Sequence, residues 1–331
     1  EFRRVLFRSG LSGQRAGACA ITTADDIQAA TTAPIAANIR HDPLAPEPIA
    51  MSSSSQPNFI LFITDQHRAD HLGCTGHPLL KTPNIDSIAA RGVAMDKFYV
   101  ASPVCMPNRA TLMTGRMPSA HGVRGNGIPL SRDSVTFVDL LAAAGYRTAL
   151  VGKSHLQNFT GAGPLFTPPA PAENLRRPPA NLSRARDHGL SGPRYEEENP
   201  KEWEAGKRSV SVPFYGFQHV DLVTGHGDEC GGDYARWLRA QRPDAEKLRD
   251  HRNQLPHNYT CPQAIRTALP EELYPTAFIR DRAVDYLRGA SKADPFFLMV
   301  SFPDPHHPFT APGKYWDMYK PEDMRSEEHT S

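Results

Sequence analysis

"NFILFITDQ", residues Asn58–Gln66, is a short, almost unbroken apolar run that stops on an acid and an amide. A strand with one wet face alternates apolar and polar residues, whereas a continuous run suits a strand buried on both faces of a parallel sheet. The flanking sequence supports that reading. "TPNIDSIAARG" (Thr82–Gly92) has a proline at a helix start, apolar residues at Ile85, Ile88 and Ala89, and a glycine stop. "VAMDKFYV" (Val93–Val100) is expected to be a second strand, "NRATLMTG" a helix ended by Gly115, and "SVTFVDLLAAAG" another helix. "YRTALVG" (Tyr146–Gly152) follows as a strand, "YPTAFIRDRAVDYLRGA" as a long amphipathic helix, and "PFFLMVSF" (Pro295–Phe302) as a further buried strand. Strands alternating with helices predict an α/β fold, with a largely parallel central sheet and helices on both faces. Residues 158–260 break the pattern with Pro, Gly, Arg and Glu, and are expected to be an insertion shaping the mouth of a site.

Bulk composition narrows the function classes. The 331 residues carry 37 Lys and Arg against 36 Asp and Glu, so no charge bias points to nucleic acid or an anionic membrane. No apolar run approaches the roughly 18 residues that a membrane span needs. Cys19, Cys74, Cys105, Cys230 and Cys261 are odd in number and irregularly spaced, which fits neither a disulfide framework nor a CxxC metal site.

The polar residues that stand out follow expected strands. Asp65 and Gln66 come after Thr64, and the Cys105 loop after Val100; Lys153 and His155 come after Gly152, and His306 and His307 after Phe302. Ligands of open α/β sheets bind beyond the carboxyl ends of the strands, so four such ends form a candidate site. Taken singly, each residue has a plainer reading: Cys105 a buried thiol, Asp65 a helix cap, Lys153 a solvated charge. "TGHGDE" (Thr224–Glu229) is read as part of the insertion, and "GVRGNG" (Gly122–Gly127) as a turn.

"CMPNRATLMTGR" (Cys105–Arg116) resembles the C-x-P-x-R-x-x-x-x-T-G-R signature of type I sulfatases in the alkaline phosphatase superfamily. The flanking "NFILFITDQHRADHLGCTGHPLLKTPNIDSIAARG", "GYRTALVGKSH" and "PHHPF" resemble family segments in the same order, from Pro57 to Tyr319. The resemblance implies that a formylglycine-generating enzyme converts Cys105 to formylglycine, whose hydrate attacks a sulfate ester beside a divalent metal, calcium ahead of magnesium or manganese. It implies that Cys105 is nucleophile and metal contact, and that Arg109 holds the hydrate. Asp65 and Gln66 would be metal ligands, Gln66 standing where many relatives have a second Asp. Lys153 and His155 match the G-K-x-H pair that contacts sulfate and hydrate, and His306 matches the histidine that protonates the leaving oxygen. The glutamine occurs in the choline-sulfatase and phosphonate monoester hydrolase branches, so a phosphonate or phosphodiester hydrolase is the alternative, and a non-catalytic relative the rival of another class.

The termini read differently. "RSEEH" (Arg325–His329) can be encoded by AGATCGGAAGAGCAC, whose reverse complement encodes "VLFRS" (Val5–Ser9). One adapter-like oligonucleotide thus accounts for both ends. Residues 1–50 are expected to be a non-native leader and 325–331 a non-native tail, leaving 51–324 as an N-terminal catalytic fragment that begins at Met51. The family's later metal pair and sulfate-binding lysine lie downstream of "PHHPF", so the fragment is expected to bind metal weakly and turn over little. With no signal peptide after Met51 the cytoplasm is expected, or the periplasm should the true start lie upstream.

Overall fold

The computed structural model describes residues 2–6, 56–161, 190–206, 209–291 and 293–324. Its strands are β1 (Phe2–Leu6), β2 (Asn58–Ile63), β3 (Arg147–Lys153), β4 (His219–Thr224), β5 (Gly231–Gly232) and β6 (Phe296–Ser301). The helices are α1 (Pro83–Ala89), α2 (Cys105–Thr114), α3 (Pro118–His121), α4 (Phe137–Ala143), α5 (Pro200–Glu204), α6 (Asp233–Gln241), α7 (Ala245–Arg249) and α8 (Pro275–Gly289). Among the described residues the strands form one sheet in the order β1-β2-β6-β3-β4-β5, parallel except for the short β5.

The apolar runs form buried strands because neighbouring side chains go to opposite faces and both faces are covered. On one face Leu61, Ile63, Leu150, Leu222, Phe297 and Met299 pack with Met106 and Met113 of α2 and Val138 of α4. On the other, Ile60, Ala149, Val151, Val223, Leu298 and Val300 pack with Tyr234 and Leu238 of α6 and Phe278, Ile279 and Ala283 of α8. Thr136 caps α4 in a reciprocal box with Asp139, which satisfies two otherwise unpaired donors. Gly152 sits at φ +109, and a Cβ there would collide with the Ser301 carbonyl of the paired strand. Only glycine lets β3 and β6 approach this closely beside the site.

Two expectations are corrected. Val93–Val100 is no strand: both edges of β2 are already occupied, by β6 and β1, and Asp96 and Lys97 interrupt the apolar run. Segment 158–260, read as an insertion at the mouth of a site that breaks the strand–helix pattern, carries β4 into the sheet, pairing Lys153 with Val223. Residues 162–189 of that segment, residues 7–50 of the leader, residues 51–55 and the tail from 325 lie outside the described residues.

Candidate active site

Four strand ends and one helix start converge. β2 runs out through Thr64 into Asp65, which is 4% exposed and whose N–H donates to the Asp304 carbonyl at 3.0 Å. β3 ends on Lys153, completely buried, with Nζ hydrogen-bonded to Asp65 Oδ2. β4 leads through Gly225 to His226, whose Nε2 lies 3.5 Å from the same oxygen. β6 leads to His306, whose ring stacks on His226 with centroids 3.5 Å apart and planes 14° apart. The sheet register explains the convergence, since Ile63, Ser301 and Gly152 are successive partners across it.

Cys105 enters from α2. Val104 provides no side-chain cap, and the Met106 N–H donates to Asn126 Oδ1 at 3.1 Å. The partial positive charge of the helix start therefore faces the site. Cys105 Sγ lies 3.7 Å from Asp65 Oδ1. One turn on, Arg109 is buried and its Nη1 donates to the Lys153 carbonyl at 2.9 Å and to Ser301 Oγ at 3.0 Å. Its Nη2 is 3.8 Å from Asp65 Oδ2. The guanidinium thus ties the helix to the ends of β3 and β6 while presenting positive charge to the carboxylate.

Electrostatics follows from this packing. Burial alone would raise the Asp65 carboxyl, but Lys153, the His226 hydrogen bond and Arg109 outweigh it and hold it well below the usual carboxylate range. Burial, reinforced by the Asp65 charge, pushes the Cys105 thiol up, so an unmodified cysteine here is a poor thiolate nucleophile. Burial brings His226 down to about 4 and also lowers His306. His306 Nδ1 donates to the His307 carbonyl at 2.6 Å, which leaves Nε2 to face a ligand. His155, at φ +54, stacks on Phe159 with centroids 3.9 Å apart. Neither of its buried ring nitrogens has a hydrogen-bond partner among the described residues. Burial, with Lys153 and Arg109 adding to it, holds that imidazole well below its ordinary value.

Of the residues singled out in the sequence, Asp65, Cys105, Arg109, Lys153 and His306 share this cluster. Gln66 stands at its edge, its Oε1 accepting from His307 Nδ1 at 3.2 Å. A cleft of about 1540 Å³ opens beside Asp65, Cys105 and His306, with Phe98, Tyr99 and Phe309 in its walls. Sequence reasoning misses His226 and Asn126. "DLVTGH" repeats the strand-then-polar pattern of the other three ends, and that signal could have found the histidine; nothing local marks the asparagine.

The sulfatase family model matches residues 57–330. This chain belongs to the sulfatase family. Over 276 residues it is 28% identical to an arylsulfatase of Clostridium perfringens, covering 81% of this chain and 47% of that protein. Over 121 residues it is 43% identical to human arylsulfatase A, covering 34% of this chain and 23% of that one. A phosphonate monoester hydrolase of Agrobacterium radiobacter has a TM-score of 0.59 at 25% identity, over 82% of this chain and 45% of that structure. The chain thus spans less than half the length of these relatives. Membership of that family raises the question of a metal. Among the described residues no three His, Cys, Asp or Glu side chains form a group able to hold an ion. Calcium takes six to eight oxygen ligands, whereas Asp65 and Gln66 supply two, already engaged by Lys153 and His307. The described residues do not by themselves fit a resident divalent ion.

Proposed function

We propose that this chain carries the nucleophile side of a sulfuric ester hydrolase site, with Cys105 converted to formylglycine. The observation that carries the reading is the gathering of Cys105, Arg109, Lys153 and His226 around the Asp65 carboxylate. A half-buried thiol with a raised pKa beside an ionised acid is unsuited to act as it stands. A hydrated aldehyde at the same position is suited. One of its oxygens attacks sulfur, and the ester S–O bond breaks to release the alcohol. The second hydroxyl then gives up its proton and re-forms the carbonyl, which breaks the C–O bond to sulfate; water restores the hydrate.

In this scheme Arg109 orients the hydrate, Lys153 and His155 contact the sulfuryl oxygens, and His306 Nε2 protonates the leaving alcohol. The unpartnered His155 nitrogens support its assignment, because a bound anion or hydrate would satisfy buried polar atoms that are costly to leave unpaired. Asp65 and Gln66 are taken as this chain's share of a divalent-ion site, calcium by its preference for oxygen ligands, completed by polypeptide outside the described residues. The modification requires a formylglycine-generating enzyme as partner.

The test is coexpression with a formylglycine-generating enzyme, followed by peptide mass spectrometry and hydrazide capture. Position 105 is expected to become an aldehyde, and the matured full-length enzyme to cleave an aryl sulfate that the Cys105→Ala variant leaves intact. An intact thiol under conditions that convert a control sulfatase overturns the nucleophile assignment. A second reading, phosphonate monoester hydrolysis, is favoured by Gln66 and by the similarity to the Agrobacterium structure. Faster turnover of a matched aryl phosphonate than of the sulfate decides for it.

A further inference from the structure

Lys153 and His155 belong to a loop whose conformation is unusual, since His155 adopts φ +54 with an ordinary side chain. Such a backbone costs energy and persists only when its surroundings over-determine it. Beside the Phe159 ring, those surroundings include one side chain from a distant segment. Glu198 is completely buried, and its carboxylate accepts three consecutive N–H groups, from His155 at 2.8 Å and from Leu156 and Gln157 at 2.9 Å. Gln157 returns the contact: its Nε2 donates to the Arg194 carbonyl at 2.7 Å, and its Oε1 accepts from the Glu197 N–H at 2.9 Å. Segment 194–198 and loop 155–157 therefore clasp each other from both sides. The segment is itself anchored, because Trp203 Nε1 donates to the Glu197 carbonyl at 3.0 Å.

We propose that Glu198 is a positioning residue: its carboxylate nests the 155–157 amides and so fixes the loop that carries His155 against the site. The inference rests on the sulfatase reading for what the loop does, though not for the clasp. An uncapped run of three N–H groups in the interior would be costly, and a shared carboxylate is a compact way to satisfy them. Glu198 touches none of the residues assigned to chemistry through their side chains, so its effect must pass through the loop backbone. A glutamine keeps the shape but offers one acceptor oxygen in place of two, while an alanine leaves all three amides orphaned.

Matured full-length enzyme is compared with its Glu198→Gln and Glu198→Ala variants, with sites counted by aldehyde capture. Amide hydrogen exchange at 155–157 is expected to accelerate at least about tenfold in Glu198→Gln, while the β3 amides of 149–151 keep their protection. In the same variant kcat per aldehyde is expected to fall about tenfold or more with KM changed less than about threefold, a split that mere loss of folded protein does not produce. Inorganic sulfate affinity by calorimetry, expected to weaken at least about threefold, supplies a readout that needs no turnover. Unchanged exchange, or faster exchange with both kcat per site and sulfate affinity unchanged, overturns the proposal. Should the parent cleave no sulfate ester, the sulfatase reading falls and sulfate affinity alone decides the role of Glu198. If Glu198→Ala fails to fold, Glu198→Gln carries the decision.

Discussion

Arg109 shows how much one side chain can be asked to do. It reaches two backbone or hydroxyl acceptors at the ends of two strands and still faces Asp65 beside Cys105. A planar guanidinium can do this because its donors are fixed in a fork, whereas a lysine offers one compact charge. Arg109→Lys is therefore not conservative here. It is expected to keep the charge near Asp65 but to lose the bond to Lys153 or to Ser301, with kcat per aldehyde-bearing site down by about tenfold to a hundredfold. Because the arginine also lies within the modification signature, the fraction of Cys105 converted has to be measured separately by mass spectrometry. Full conversion together with parental kcat would remove Arg109 from the chemistry.

At the level of elements, the closest joint lies where β3 meets β6. A side chain at Gly152 would meet the Ser301 carbonyl, and the left-handed φ adds strain. Gly152→Ala is expected to destabilise the fold by about 2–4 kcal/mol, read as a lowered urea midpoint with the slope unchanged. A midpoint equal to the parent's would show that the two strands have room to part. The same elements show what could be read from the sequence. β2, β3 and β6 were legible because both faces are buried and the apolar runs are unbroken, and α2 because Gly115 stops it in the left-handed region. Val93–Val100 misled because a strand needs a free edge, which no local pattern reports. His226 was missed for a related reason: its place beside Lys153 arises from the β3–β4 register, between residues about seventy apart in sequence. Glu198 was hidden inside "YEEENP", where three adjacent acids look like a solvated charge run until burial marks Glu197 and Glu198 and the three amides single out Glu198.

Across the whole molecule, buried acids and histidines set the response to pH, and two of the acids lie away from the site. Burial pushes Glu198 up to about 7 although three amides oppose it, and pushes Asp233 up to about 6 although Leu222 N–H and Arg236 oppose it. Both carboxyls hold a proton in the folded state at pH values where the unfolded chain has released it. Unfolding then releases protons, so stability falls as pH rises, the reverse of the usual behaviour of a salt-bridged acid. The contribution is fully present below the ordinary values, 4.5 for Glu198 and 3.8 for Asp233, and is lost as pH climbs to about 7 and about 6. Each group is worth about 3 kcal/mol at the order-of-magnitude level. Asp65 and Asp70 act in the other direction, but their pKa values lie below the usual range, so they titrate at more acid pH. His155, His226 and His306, which burial lowers, act in the opposite sense below pH 6.5, so the share of the two acids is expected to appear as a decline of several degrees in melting temperature from pH 5 to pH 7 set against the rise those histidines give. Glu198→Gln and Asp233→Asn together should flatten that decline, because the neutral amides cannot titrate. A double variant whose melting temperature follows the parent's pH dependence from pH 5 to pH 7 without change would show that amide and arginine donors, and not burial, set the charge of these two acids.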